Sequence, residues 1–190
     1  ENSFYSANGG AELFGVRFYA WTAHLFAKRG FAGSKNGAFP TEEFFGYLGA
    51  ELAPYIAVAK TFEECAAAAE NAFLKRLDGI RADNNLLNAV DFIIDSRGSL
   101  GISELCAHTT VSARTLERLF AAATGVSPKA FSSLVRYQLL WQEMITRSDF
   151  NILDAVEKYG YADQPHLLND FRRRHLMTPK QALNYARKLR

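Results

Sequence analysis

A short pattern occurs twice in the second half of this chain, and a duplicated unit restricts the fold more than any local propensity does. Leu116, Phe120, Pro128 and Lys129 return 51 residues later as Leu167, Phe171, Pro179 and Lys180, with Val126 answered by Met177 and Ser127 by Thr178. Upstream, Ile102 and Leu105 are matched by Leu153 and Val156 as an apolar helical stripe. Each copy reads as a short helix, a tight turn, a second helix and a Ser/Thr-Pro stop. That is a helix-turn-helix, and a tandem pair of them points to a reader of double-stranded DNA.

The spacing predicts a mainly α fold over 83–190, with two helix-turn-helix subdomains joined by a long linking helix. Asn84 to Asp95 carries Leu86, Leu87, Val90, Ile93 and Ile94 on one face and is closed by Gly98. Lys129 to Thr146 forms the linker, about 27 Å at 1.5 Å per residue, with Phe131, Leu134, Leu139, Leu140 and Ile145 available for packing. About seven helices and no strand are expected there. A linker of that length holds two recognition helices about 34 Å apart, one turn of B-DNA, and a parallel pair would ask the duplex to bend.

Residues 1–82 read differently, as a small α+β region. Asn8-Gly9-Gly10 signals a turn, and Glu12 to Trp21 reads as a strand with Phe14, Val16 and Phe18 on one face. Gly30 to Pro40, with Gly33, Ser34, Asn36 and Gly37, is loop chemistry. Thr41 is placed to cap a helix through Phe44, Phe45, Leu48 and Leu52, which Pro54 ends or interrupts. Thr61 and Glu64 have capping-box spacing and open a helix carrying Phe62, Ala66, Ala69, Phe73 and Leu77 toward Gly79. The polar stretch Arg81 to Asn85 marks the boundary.

Charge supports this division. Residues 1–82 carry a net −1 and residues 83–190 a net +3, so the positive excess lies with the repeat. Cys65 and Cys106 stand alone, without Cys-x-x-Cys or clustered His, which argues against a disulfide framework and a zinc site and fits a reducing cytoplasm; no metal and no cofactor is expected. No run approaches the roughly 18 apolar residues of a membrane span, and no signal peptide is visible. The chain begins at Glu1 rather than Met, which leaves room for an upstream region.

The outer faces of the second helices carry the chemistry. Ser112 is suited to cap the first, whose inward side is Leu116, Leu119, Phe120 and Ala123; Arg114, Thr115, Glu117, Arg118 and Ala121 remain for the major groove. Arginine gives two hydrogen bonds to guanine, and Glu117 accepts from cytosine. Charged outer faces are also the rule for amphipathic helices, so ordinary solvation is the competing reading. In the second copy Asp163 caps, Pro165 sits in the first turn, and Gln164, His166, Leu168 and Asn169 face outward. Asn169 suits adenine, Leu168 a thymine methyl, and His166 either a phosphate or a local hydrogen bond. Arg172, Arg173 and Arg174 suit phosphates. The first copy therefore supplies discrimination and the second more of the positioning.

These residues are similar to a known family. Ile102-Ser-Glu-Leu-Cys-Ala107, Ser112-Ala-Arg-Thr-Leu-Glu-Arg-Leu-Phe120, Gly125-Val-Ser-Pro128, Tyr159-Gly-Tyr-Ala-Asp-Gln-Pro-His166, Asp170-Phe-Arg172 and Met177-Thr-Pro179 resemble the C-terminal DNA-binding domain of AraC/XylS-type transcription regulators over residues 84 to 186. The resemblance implies two helix-turn-helix subdomains on a long helix, and control of transcription initiation from a promoter-proximal site, often as an activator touching RNA polymerase. It places base contacts on Arg114, Glu117 and Arg118, and on Gln164, Pro165 and Asn169. Asn169 stands where arginine is common in the family, which weakens base readout by the second copy. The preceding region, on Leu13-Phe-Gly-Val-Arg-Phe18, resembles the end of a family regulatory region and implies sensing of a small-molecule effector, homodimerisation, or both. Phe14, Phe18, Trp21, Phe44, Phe45 and Tyr47 fit either a ligand pocket or an ordinary core.

Two other functions compete. An enzyme of DNA-alkylation repair needs a cysteine beside a base or metal, and neither cysteine has one nearby in sequence. The chain is therefore read as a non-enzyme. A protein-docking module with degenerate helix-turn-helix units fits the modest net charge and the neutral second face.

Overall fold

In the computed structural model, which describes residues 13–34 and 37–188, order comes almost entirely from helices. α1 (Thr41–Phe45), α2 (Leu48–Val58) and α3 (Phe62–Leu77) precede α4 (Asn84–Asp95), α5 (Ile102–Thr109), α6 (Ala113–Thr124) and α7 (Pro128–Thr146). α8 (Ile152–Lys158), α9 (Gln164–His175) and α10 (Pro179–Lys188) complete the chain, and a 3-10 turn occupies Ala23–Leu25. By proximity the described residues form two compact units: the chain up to Leu87 with Glu117–Val126, and Asn88–Leu116 with Ser127 onward. Among the described residues no helix is long and apolar enough to cross a membrane.

The expected strand from Glu12 to Trp21 does not form. Residues 13–19 have no regular structure, a turn begins at Ala20, and no strand occurs among the described residues, so the α+β reading of this region is corrected to helix and coil. The Asn8-Gly9-Gly10 turn, Glu12 and Asn36 lie outside the described residues. Alternation did mark ring contacts: Phe18 meets Phe26, Phe45 and Phe73 at centroid distances of 5.5, 5.6 and 5.2 Å, and Phe14 meets Phe62 at 5.9 Å. A strand also needs a second backbone to complete its ladder. The neighbours here are helices, which offer side-chain surface but no free N–H or C=O row.

Two helix boundaries also differ from expectation. Gly46, at φ +60°, ends α1 by donating to the Glu42 carbonyl at 3.0 Å, so the helix read through Leu52 is two helices. Pro54 lies inside α2, which runs on to Val58. The carbonyl it leaves without a partner belongs to the exposed Ala50, where water can serve it. α3 starts as expected, with Thr61 Oγ1 accepting from the Glu64 N–H at 3.2 Å, but its buried side is Ala69 and Ala72, and Phe62 and Leu77 are exposed.

In the second unit α8, α9 and α10 pack with the second half of α7. Leu140 and Met144 of α7 share one buried cluster with Ala155, Tyr159, Tyr161, Leu167, Phe171 and Ala182. Tyr137, Trp141 and Phe150 close its margin. Leu134, expected to pack, is exposed; the aromatic side chains took that role. His175 belongs to the same margin, its ring 4.9 Å from Phe171 and 4.5 Å from Trp141, with Nδ1 2.6 Å from the Tyr137 hydroxyl. Burial holds its pKa below the usual 6.5.

Gly98 fixes the first half of α7. It closes α4 by donating to the Ile93 carbonyl at 2.8 Å with φ +70°, and a Cβ there would stand 2.1 Å from the Ser132 carbonyl oxygen. Gly98→Ala is expected to cost about 3 kcal/mol, left-handed strain and overpacking together, as measured by urea unfolding. The His175 shift fixes a pH window as well. The unfolded imidazole binds protons more readily than the folded one, so its contribution is fully present above about pH 6.5 and is lost as pH falls below that value. His175→Phe is expected to flatten the melting-temperature profile between pH 7 and pH 5.

Candidate nucleic-acid interface

The duplication seen in the sequence is a duplication of caps and anchors. Ser112 Oγ accepts from the Thr115 N–H at 3.2 Å and lies 3.0 Å from Thr115 Oγ1, opening α6; Asp163 Oδ1 accepts from the His166 N–H at 2.7 Å, opening α9. At the following stops Ser127 Oγ accepts from Ala130 N–H at 3.2 Å and Thr178 Oγ1 from Gln181 N–H at 3.3 Å. Each such cap is worth about 1 kcal/mol. Leu116 and Phe120 in one copy, and Leu167 and Phe171 in the other, are completely buried, each contributing about 1.5–3 kcal/mol. With these residues turned inward, helical geometry decides which others are left outside.

On α6 the outward residues are those expected. Arg114, Glu117 and Arg118 are exposed, and among the described residues none of them has a hydrogen-bonded or ionic partner. Ser112 is exposed as the cap, while Thr115 is half-buried beside it and Ala121 is half-buried on the next turn. The C-terminal end of α6 is held from the first unit's own loop. Phe31 N–H donates to the Ala122 carbonyl at 2.9 Å, and Phe31 stacks on Phe44 at 4.9 Å. Sequence reasoning missed this contact, for which the only signal was the glycine pair at Gly30 and Gly33.

α9 presents a different surface. Asn169 and Arg172 are exposed without a partner among the described residues, and Gln164 and Leu168 are half-buried. His166 is exposed, yet its Nδ1 accepts from the Ala162 N–H at 3.3 Å and its ring meets Tyr161 edge-on at 5.3 Å. The local hydrogen bond allowed for at this position is therefore present, and Nε2 is the nitrogen that remains.

The three consecutive arginines are not equivalent. Arg173 is 72% exposed at its side chain but donates to Asp170 Oδ1 at 2.5 Å. Arg174 is corrected from a solvent-facing cation to an internal one: it is 17% exposed, donates from Nε to Asp170 and from a terminal nitrogen to Ser133 Oγ at 2.5 Å, and lies 5.8 Å from the Tyr137 ring. A turn of 100° per residue separates them, so one sequence run cannot face one way.

Asp170 organises this side of the second unit. It is 5% exposed and accepts from Tyr161 Oη at 3.2 Å as well as from both arginines. Burial and the neighbouring carboxylate push the Tyr161 hydroxyl pKa well above its ordinary value, so Tyr161 stays a donor at all working pH. A second acid, Glu143, accepts from Lys158 Nζ at 2.8 Å, Tyr159 Oη at 2.5 Å and Arg147 at 3.2 Å. Burial works against its ionisation, but these donors win and hold its pKa below the usual carboxylate value. Arg136, at the middle of α7, donates to the Gly98 carbonyl at 2.6 and 3.2 Å and to the Gly160 carbonyl at 3.3 Å. Its sequence signal was the one arginine of α7, in the stretch Leu134-Val-Arg-Tyr-Gln-Leu-Leu140.

Cys65 and Cys106 are free and half-buried, and no group of three or more His, Cys, Asp or Glu among the described residues is arranged to hold a metal. Asp170→Ala is expected to cost about 3 kcal/mol or more in the unfolding of this unit, because it strands Arg174 and the Tyr161 hydroxyl in a low-dielectric interior. Chemical denaturation followed by tryptophan fluorescence of Trp141 would read that loss.

A family of helix-turn-helix domains matches residues 105–185, from the buried Leu105 of α5 to Tyr185 of α10. Among curated proteins, Regulatory protein HrpB of Ralstonia nicotianae is 25% identical over 99 residues, which is 50% of this chain and 21% of that relative. The chain thus spans about a fifth of the length of the curated relative it matches. No solved structure matches it. Residues 105–185, with their two capped helix pairs, are thus similar to helix-turn-helix domains.

Proposed function

We propose that this chain is a sequence-specific, DNA-binding regulator of transcription in which α6 and α9 are the recognition helices of two helix-turn-helix subdomains joined by α7. The observation that carries this reading is the outward row Arg114, Glu117 and Arg118 on a capped helix of the matched domain, unpaired within the described residues and free to bond elsewhere. The similarity to Regulatory protein HrpB, named as a regulatory protein, agrees with it. In this reading Arg114 and Arg118 bond guanine edges, Glu117 accepts from cytosine, and Ser112 and Thr115 lie against the backbone. Asn169 and Gln164 reach base edges in the next major-groove segment, and His166 uses Nε2 toward a base or phosphate. Arg172 takes a phosphate without competition, whereas Arg173 does so while tethered to Asp170.

The domain assignment extends the proposal. Residues 83–190 form the DNA-reading domain, and residues 1–82 form a regulatory region that senses an effector, pairs two copies, or both. Within the first unit, Phe14, Phe18, Phe45, Leu52, Ile56 and Phe73 line a cavity of about 510 Å³, which suits a small apolar effector. A promoter-proximal site also brings RNA polymerase within reach of the bound protein.

Selection from a random duplex pool, followed by affinity measurements at two salt concentrations, tests the reading. Binding is expected to fall steeply with salt. On the selected site Arg118→Ala is expected to cost about 1–3 kcal/mol and to relax preference at one base pair. Arg172→Ala should weaken all sequences alike and lower the salt slope by about 1. No enrichment, or affinity indifferent to salt, would overturn DNA reading in favour of a protein-docking module.

A further inference from the structure

Arg136 is the point on α7 where two distant loops meet. Its Nε and one terminal nitrogen donate to the Gly98 carbonyl in the loop between α4 and α5, and the other terminal nitrogen donates to the Gly160 carbonyl in the turn between α8 and α9. The guanidinium carbon stands 5.1 Å from the centroid of Tyr161, which in turn donates to Asp170 of α9. A guanidinium offers five donors in one rigid plane, so it can serve two carbonyls directionally at once; a lysine ammonium is a point donor on a flexible stem.

Ser99 lies close to Gly160, where an added Cβ would stand 3.0 Å from the Ser99 Cβ. Beyond it the walls separate around a groove of about 640 Å³, with Ile102 and Leu105 of α5 and His166 and Arg173 of α9 among its lining residues. Arg136 lines that groove as well and joins its two sides through the Gly98 and Gly160 carbonyls.

We propose that Arg136 is a positioning residue for DNA reading: by tying both loops to one place on α7 it fixes α5 against α9 within the second unit, and so the half-site spacing the protein accepts. The inference rests on the reading of α6 and α9 as the recognition helices. A recognition helix displaced by one base pair, about 3.4 Å, loses its bonds to base edges, so a rigid clamp converts a spacing error into lost affinity. With the clamp loosened, the second half follows a displaced half-site and discrimination among spacings disappears.

The test compares Arg136→Met, which keeps the aliphatic stem, with the unaltered chain in two measurements. In the free protein, spin labels on Ala107→Cys and Asn169→Cys, with Cys65→Ser and Cys106→Ser, report the distance between α5 and α9. A narrow distribution that broadens on Arg136→Met is expected. On duplexes, the unaltered chain should favour its selected spacing over one base pair more or fewer by about tenfold, since about 1–3 kcal/mol goes with each lost base contact. Arg136→Met should reduce that ratio to about twofold, while affinity for each isolated half-site stays within about twofold, as independent sites do. Should Arg136→Met lose its helical circular dichroism, Arg136→Lys carries the same two readouts. Unchanged label widths and an unchanged spacing ratio overturn the proposal, as does equal weakening of isolated and paired half-sites. If the unaltered chain binds no duplex, the DNA reading fails by itself, and the label widths still decide whether Arg136 fixes α5 against α9.

Discussion

Helices of seven to twelve residues do not persist alone in water, and α8, α9 and α10 are of that length. They hold because α7, at nineteen residues, gives them one continuous surface on which to bury a stripe. Leu140 and Met144 supply the apolar part of that surface, and Ser133 and Arg136 supply directional bonds along it. Everything functional in the second unit follows from this dependence. α9 can present Asn169 and Arg172 outward only because Leu167 and Phe171 are anchored inward and Asp170 and Arg174 lock the rotation.

The same dependence separates charges that look alike. Positive charge in this chain is modest in sum, and part of it is consumed internally: Arg136 and Arg174 bond carbonyls, a hydroxyl and a buried acid. Two adjacent arginines are therefore different objects, one a structural tie and one a surface cation. For a surface that binds a polyanion, the number of available cations matters more than the net charge of the sequence.

Much of the fold was legible in advance because helical periodicity and capping chemistry are local. The spacing of Leu86, Val90 and Ile93 marked α4, Thr61 and Glu64 marked the start of α3, and Ser112 and Asp163 marked α6 and α9 where they begin. Phe14 and Phe18 show where such reading fails. Their alternation is equally compatible with a strand and with an extended segment laid on helices, and the presence of a partner strand is a non-local fact. Gly46 shows a second failure: a left-handed stop outweighed an apolar pattern that ran straight through it. The outward row of α6 was readable from the wheel alone. The bond from Tyr161 to Asp170 and that from Arg174 to Ser133 were not, since Tyr161 and Ser133 arrive from other elements.

By itself the sequence determined that a unit is repeated, which residues of the second helix of each copy face inward, and where α3, α6 and α9 start, since all of these depend on residues within one or two turns of one another; the stripe positions Ile102 and Leu153 of the first helices are exposed. Tertiary structure alone decided which of Arg172, Arg173 and Arg174 stays free, that Arg136 serves two carbonyls rather than solvent, and that residues 13–19 remain without a strand partner. These outcomes turn on atoms far apart along the chain, whose meeting is set by how helices pack and not by any preference that a neighbouring residue can express.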